Sequence, residues 1–136
     1  MIEIQGTVAR GLGNAAANFQ QGTVEVAVAN LLSVSEIVHG TLNIEILQEY
    51  AMLDDGVYEL HLPASDYNGR EQVKIKRCKV NDFPCALIRP ADHFVVEKFK
   101  RRIEIMSSVR LRDRLGLSDE SKVIVQFQGN DLWWNG

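Results

Sequence analysis

The sequence of 136 residues contains only two cysteines and three prolines, and it has no long hydrophobic run. Two cysteines are too few for the disulfide-dense scaffolds of small secreted proteins. Cys78 and Cys85 flank the turn signal Asn81–Pro84, so we expect them to face each other, reduced, across a hairpin. No apolar stretch approaches the ~20 residues of a membrane-spanning helix, and Met1–Gly6 lacks the basic and apolar parts of a signal peptide. We therefore expect a cytoplasmic protein that does not contact membranes.

Basic residues show no excess over acidic ones. The sequence holds 15 Lys and Arg against 18 Asp and Glu, which gives a formal net charge of −3. A general nucleic-acid-binding domain usually has a basic excess, so nucleic acid is not the expected partner. At this length, and with no interdomain linker in the sequence, we expect residues 1–136 to form one domain.

The motifs of several well-known enzyme classes are missing. The sequence has no Gly-x-x-x-x-Gly-Lys-Ser/Thr loop for nucleotide phosphates and no Gly-x-Ser-x-Gly turn for a nucleophilic serine. Its histidines, His39, His61 and His93, have neither the spacing nor the cysteine partners of a zinc site. P-loop, serine-hydrolase and zinc chemistry are therefore not expected.

Short segments that alternate apolar and polar residues make up much of the chain, which is typical of β-strands. They are Ile2–Ala9, Gly40–Ile46, Val57–Leu62, Glu71–Val80, Cys85–Ile88, Ile103–Ile105 and Lys122–Phe127. Thr23–Leu32 fits a strand or a short helix equally well, because its valines alternate while Ala27 and Leu31 have a helical spacing. Many short strands with one or two helices predict a mainly β fold, a small barrel with Greek-key character.

Three groups of residues in or next to these strands are candidates for binding or catalysis. Gly11–Gly13 follows the first strand, and its two glycines would let backbone N–H groups approach a ligand closely. Thr41 and Asn43 follow Gly40 and project a hydroxyl and an amide from one face of a strand. Neutral oxygens of this kind can hold Mg²⁺ that phosphate oxygens complete. Glu104 adds a carboxylate on a short apolar strand.

A fourth group stands at the start of a predicted helix. Ser108 is expected to cap a helix over Val109–Leu115, and Gly116 is expected to end it. Val109–Arg112 would form its first turn, with two arginines. Guanidinium groups and the N–H groups of a helix start both suit phosphate, so this segment is a candidate anion site.

Together these segments resemble the archaeal CTP-dependent riboflavin kinases, over a range from Gly6 to about Gln128. The order and spacing of the segments carry the resemblance. They are Gly11-Leu12-Gly13, Gly40-Thr41-Leu42-Asn43, Asn68-Gly69, Leu87-Ile88-Arg89-Pro90, Ile103-Glu104-Ile105, Leu111-Arg112 and the ending from Leu115 to Val125.

The resemblance implies a six-stranded cradle-loop β-barrel with additional strands and one or two short helices, among them Thr23–Leu32. It implies that the terminal phosphate of CTP is transferred to riboflavin, giving FMN and CDP, with Mg²⁺ as cofactor. By resemblance, the nucleotide would be bound by Gly11, Leu12, Gly13, Asn14, Ala15, Ala16, Val109, Arg110, Leu111 and Arg112. Thr41 and Asn43 would hold Mg²⁺, and the flavin would contact Glu104 and His93.

Three ligand-facing positions depart from the family pattern. Ala15 and Ala16 stand where the family loop usually has a glycine and an arginine, and His93 stands in place of a threonine. Loss of the arginine removes a charged hydrogen bond worth roughly 1.5–3 kcal/mol. A barrel that binds a flavin or nucleotide without catalysis is therefore the first alternative function.

Two further features leave other partners open. Arg112–Asp119 resembles the corresponding stretch of AbrB-like swapped-hairpin DNA binders, which makes a nucleic-acid-binding regulator the second alternative. Residues 128–136 lie beyond the resemblance and contain Trp133 and Trp134. These rings could stack on a flavin or a base, or cover the barrel end or a dimer contact. A homodimer is therefore an open option.

Overall fold

The computed structural model describes residues 2–9, 23–38, 41–50, 58–63, 72–90 and 100–127. Its strands are β1 (Ile2–Ala9), β2 (Leu42–Ile46), β3 (Leu60–Leu62), β4 (Val73–Val80), β5 (Phe83–Pro90), β6 (Arg102–Met106) and β7 (Lys122–Phe127). Its helices are α1 (Thr23–Leu32) and α2 (Leu111–Arg114). Neither of these two helices has the length and apolar character needed to cross a membrane. The predicted mainly β composition is confirmed.

Six of the strands form a closed antiparallel barrel. They follow one another in the order β4-β5-β6-β2-β1-β7, and β7 pairs again with β4 through Val80 and Val125. β3 is an extra strand that pairs with residues 73–75 at the start of β4. The six-stranded barrel with one added strand and two helices confirms the predicted architecture.

The barrel interior is filled by the apolar half of the alternating pattern. Leu42, Ile44 and Ile46 of β2 join Ile103 and Ile105 of β6 in one buried cluster. In a pleated strand every second residue faces the same side, which is why the sequence pattern predicted this inner face correctly. β1 and β7 also have the bounds that their alternation predicted.

Helix α1 packs on the outer wall of the barrel and resolves the ambiguous segment. Its buried residues Val24, Val28 and Leu32 recur at every fourth position, which places them on one helical face. They form a second cluster with residues of β4 and β5 such as Ile88. Val26, which contributes to the strand-like alternation, is 61% exposed. The helix implied by the family resemblance is therefore confirmed.

Strands β4 and β5 form a tight hairpin. Asn81 and Asp82 make its turn with φ values of 47° and 69°, the positive values that a two-residue type I′ turn requires. Cys78 and Cys85 are directly paired across this hairpin, and both are buried and free. The predicted facing of the two cysteines is confirmed, although the turn has two residues instead of the four of Asn81–Pro84.

We expect neither thiol to react with an aromatic disulfide reagent while the protein is folded. Burial raises the pKa of Cys85 to about 12, although a hydrogen bond with Ser107 partly opposes the shift. Burial also raises the pKa of Cys78 well above its usual value, and the neighbouring Cys85 raises it further. Since the thiolate is the reactive form, labelling at mildly alkaline pH should proceed only as fast as the protein unfolds. A time course with and without denaturant measures this, and rapid labelling of the native protein would contradict it.

Helix α2 is shorter than the sequence predicts. It begins at Leu111, and its N-cap residue Arg110 is extended and provides no side-chain cap. The prediction that Ser108 caps a helix starting at Val109 is therefore wrong. The neighbouring Ser107 makes a local bond instead, because its Oγ accepts the Val109 N–H at 3.3 Å outside any helix.

The end of α2 follows the prediction. Gly116 has a φ of 64°, a left-handed value that glycine adopts without steric cost. The Leu117 N–H donates to the Arg112 carbonyl at 2.8 Å and closes the last turn. Arg112 thus belongs to a short helix whose C-terminal end is closed before the chain continues to β7.

Candidate active site

An open cleft lies at the end of the barrel where β2 begins and β6 ends. Its volume is about 320 Å³. Its described lining residues are Val38, Thr41, Leu42, Ile105, Ser107, Val109, Arg110, Leu111 and Arg112. The fold therefore brings Thr41 and the segment Val109–Arg112, which are far apart in sequence, to one cleft.

Thr41 presents a hydroxyl group that the described protein groups do not satisfy. Its Oγ1 is buried and has no hydrogen-bond partner in the part of the chain that the structure describes. Buried hydroxyls nearly always have a partner, because leaving one unsatisfied costs about 1–3 kcal/mol. An oxygen placed this way in a cleft is suited to coordinate a cation or to bond to a ligand.

Asn43 and Glu104 are neighbours on the outer wall beside the cleft. They are paired residues of β2 and β6, and Asn43 also pairs with Ala9 of β1. Directly opposite residues have Cβ atoms about 5 Å apart and face the same side. Asn43 is 7% exposed and Glu104 is 9% exposed, so these two polar residues are buried and do not form a solvated surface. Neither residue is among the described residues that line the cleft.

Arg112 connects the cleft to the end of β1. Its Nη2 donates to Asp119 Oδ1 at 2.9 Å and to the Ala9 carbonyl at 3.4 Å. Arg110 is more open, with a side chain 71% exposed and 3.9 Å from Asp113, a separation at which a surface pair contributes little. The described lining thus holds two guanidinium groups and no carboxylate.

Two of the predicted sites lie outside the described residues. These are the loop Gly11–Ala16 and His93. Ala9 is the last described residue before the loop, and it pairs with Asn43 while its carbonyl contacts Arg112. Ala9 therefore lies next to Arg112 of the cleft, and the role of the loop in binding stays a prediction.

The oxygen atoms near the cleft fit a hard cation better than a soft one. Over the described ranges, no group of three or more His, Cys, Asp or Glu residues could hold a metal ion. Thr41 and Asn43 offer a hydroxyl and an amide oxygen instead. Mg²⁺ prefers such oxygens, keeps several waters and is commonly completed by phosphate. The buried, unpartnered Thr41 Oγ1 is consistent with this role.

The sequence has a basic run from Lys98 to Arg102 that would favour the nucleic-acid alternative, but its described residues Lys100 and Arg102 give that alternative little support. Lys100 Nζ lies 3.7 Å from Glu49, and Arg102 Nη2 lies 2.9 Å from Glu45. These acidic neighbours reduce the positive field that binding to a phosphodiester backbone requires. A nucleic-acid-binding role is therefore not favoured by this part of the surface.

Several residues of the site were not predicted from the sequence. Ser107 and Val38 line the cleft, and the Val38 N–H donates to the Ser107 carbonyl at 2.9 Å. Asp119 fixes Arg112. None of the three was predicted as a site residue, because each contributes through a contact that forms only when the chain is folded.

Comparison with known proteins gives an independent assignment. A family model named for CTP-dependent riboflavin kinases, and described as domain of unknown function DUF120, matches residues 8–127. A search of curated proteins found no match. The matched range contains both helices, the strands from β2 to β7 and all the described residues of the cleft. The chain belongs to the CTP-dependent riboflavin kinase family.

Proposed function

We propose that this protein transfers the terminal phosphate of CTP to riboflavin and forms FMN and CDP. The observation that carries the proposal is the cleft, which gathers Thr41, Arg110 and Arg112 in a chain of this family. Phosphoryl transfer depends mainly on positioning and on neutralising charge. An oxygen for a cation and two guanidinium groups are the parts that such a reaction needs.

The arginines would bind the phosphates of CTP. A guanidinium group matches phosphate oxygens with two parallel N–H donors. Arg112 is held in advance by Asp119 at 2.9 Å and by the Ala9 carbonyl at 3.4 Å. A side chain that is already ordered loses less conformational entropy when a ligand binds. The apolar Val109 and Leu111 beside it would exclude water from the nucleotide.

Thr41 and Asn43 would hold Mg²⁺, as their chemistry permits. The ion, when bound, neutralises charge on the phosphate oxygens. Thr41 contributes an oxygen that has no competing bond within the described residues. Asn43 contributes an amide that burial between β1 and β6 restricts to few orientations. The two residues therefore position the phosphate end of the nucleotide.

Glu104, next to Asn43, would contact the flavin. The two residues are paired across β2 and β6, so a flavin at Glu104 would bring its ribityl hydroxyl toward the phosphate held near Asn43. His93 and the loop Gly11–Ala16 would supply further contacts to the flavin and the nucleotide.

Replacing Arg112 by glutamine is expected to weaken CTP binding about tenfold, because a charged hydrogen bond to phosphate is lost. Titration calorimetry in the presence of Mg²⁺ measures this. Arg114→Gln is the matched control, since Arg114 belongs to the same helix but lies over the Phe83 ring, outside the cleft. Equal dissociation constants for the two variants would contradict the role of Arg112.

The proposed activity is tested by incubating the protein with riboflavin, Mg²⁺ and each of the four nucleoside triphosphates, with chromatographic detection of FMN. We expect FMN with CTP and its loss when a chelator is added. Binding of flavin or CTP without FMN would favour the inactive barrel, to which Ala15 and Ala16 point. Absence of both binding and FMN would exclude both functions.

A further inference from the structure

A second groove lies on the outer wall of the barrel, where β1 runs between β2 and β7. Its volume is about 430 Å³. Its described lining residues are Gln5, Gly6, Thr7, Glu45, Ile46, Leu47, Asn81, Lys122, Val123 and Ile124. None of these residues lines the cleft of the candidate active site, so the groove is a separate feature.

Two large apolar side chains at the groove are open to solvent. Leu47 is 95% exposed, and Ile124 is 37% exposed. Single exposed apolar residues are common on protein surfaces. Here, however, two of them flank one groove, which is the arrangement typical of a surface that another apolar segment covers.

We propose that the C-terminal segment 128–136 of this chain docks in this groove through Trp133 and Trp134. The segment follows directly from Phe127 at the end of β7, and Ile124 of the groove is three residues earlier on the same strand, about 10 Å away. Six residues of extended chain, from Phe127 to Trp133, reach about 20 Å. The segment can therefore turn back along β7 and place its indole rings against Leu47 and Ile124.

The charges of the groove and the segment are complementary. Glu45 and Lys122 are the charged residues among the described lining. Arg102 pairs with Glu45 at 2.9 Å, so the charge of Glu45 is largely compensated and Lys122 leaves the groove net positive. Asp131 carries the one charged side chain of residues 128–136. It precedes Trp133 by two positions, which lets it approach Lys122 when the rings are docked.

Intrinsic tryptophan fluorescence reports on the segment 128–136 alone, because the chain has two tryptophans and both lie in the segment. If the segment is docked, tryptophan emission of the native protein is shifted to shorter wavelength relative to the denatured protein and is shielded from acrylamide. Emission that equals that of the denatured protein would overturn the proposal.

Two substitutions in the groove should abolish the shift and the shielding. Leu47→Asp places a negative charge beside Asp131, and Lys122→Glu removes the complementary charge. Both side chains are exposed, so the folded barrel should persist, which circular dichroism checks. Val26→Asp is the matched control, because Val26 is an exposed apolar residue of α1, away from the groove, and its variant should keep the wild-type emission.

Three results would reject the intramolecular assignment. The first is a blue shift that persists in both groove variants. The second is a shift that disappears on dilution together with a dimer seen by sedimentation, since a second copy would then occupy the groove. The third is a shift that arises only when riboflavin or CTP is added. Since the groove is separate from the cleft, failure here would leave the proposed activity untouched, and an inactive protein could still show the docked segment.

Discussion

Replacing Thr41 by valine is expected to lower the rate of FMN formation by about a hundredfold, the scale on which loss of one positioned charge-stabilising group acts. Valine has the shape of threonine without the oxygen. The Thr41 Oγ1 is buried and has no partner among the described groups, so its removal breaks no described hydrogen bond. The free energy of unfolding should therefore stay unchanged or rise by up to about 1 kcal/mol.

This combination of lost activity with retained stability is the informative outcome. Initial rates at saturating CTP and riboflavin, with thermal unfolding of the same samples, measure both quantities. Thr7→Val is the matched control, since Thr7 is exposed on the neighbouring strand β1 and should have near wild-type rates. A Thr41→Val protein with undiminished turnover would show that this hydroxyl has no part in the reaction.

Replacing Gly6 by alanine is expected to destabilise the barrel by about 1–3 kcal/mol, as overpacking of a filled interior usually does. A Cβ at this position would lie 2.5 Å from Ile44 Cγ2 and 2.7 Å from the Glu45 carbonyl oxygen. The carbonyl belongs to the β2 backbone and cannot move without disturbing the pairing of β1 with β2. Gly6 is also where β1 pairs with both neighbours at once, Ile46 on β2 and Val123 on β7.

Whether Gly6→Ala lowers or raises the free energy of unfolding distinguishes overpacking from strand propensity. Alanine in the middle of a strand is ordinarily better than glycine by about 0.5–1 kcal/mol, so propensity alone predicts stabilisation. Denaturant unfolding of Gly6→Ala, with the exposed neighbour Gln5→Ala as control, decides between them. An unfolding midpoint of Gly6→Ala equal to or higher than that of the wild-type protein would mean that β1 and β2 do not approach as closely as described at Gly6.

Much of the barrel could be predicted because its strands carry local information. The alternation in Ile2–Ala9 and Lys122–Phe127 predicted both strands with their observed bounds. The facing of Cys78 and Cys85 followed from the turn signal between them. These features depend on neighbours in sequence, and the period of a strand is visible within a few residues.

Features that depend on distant segments could not be predicted in the same way. The alternation in Gly40–Ile46 correctly predicted that Leu42, Ile44 and Ile46 share the inner face, but it gave no sign that Asn43 on the other face would be buried. Its burial depends on neighbouring elements, with Ala9 and Glu104 paired on either side of it. The strand-like valines of Thr23–Leu32 left that segment ambiguous for a related reason, because packing against the barrel selects the helix.

The candidate site also combines features that the sequence predicts with features that only the folded chain reveals. Thr41, Arg110 and Arg112 were predicted from their chemistry and from the family resemblance, and the fold brings them to one cleft. The helix start was misplaced, because a serine before an apolar run was interpreted as a cap whereas residues 107–110 precede the helix that begins at Leu111. Asp119 and the Ala9 carbonyl, which orient Arg112, are apparent only once the chain is folded.

The claim that the cleft binds the nucleotide is tested most directly by following the backbone amide resonances of nitrogen-labelled protein during titration with CTP and Mg²⁺. We expect the largest shifts on Thr41 and on residues 107–112, and no response of the amides around Leu47 and Ile124. Shifts centred on the outer groove, or no shift at saturating CTP, would contradict the claim.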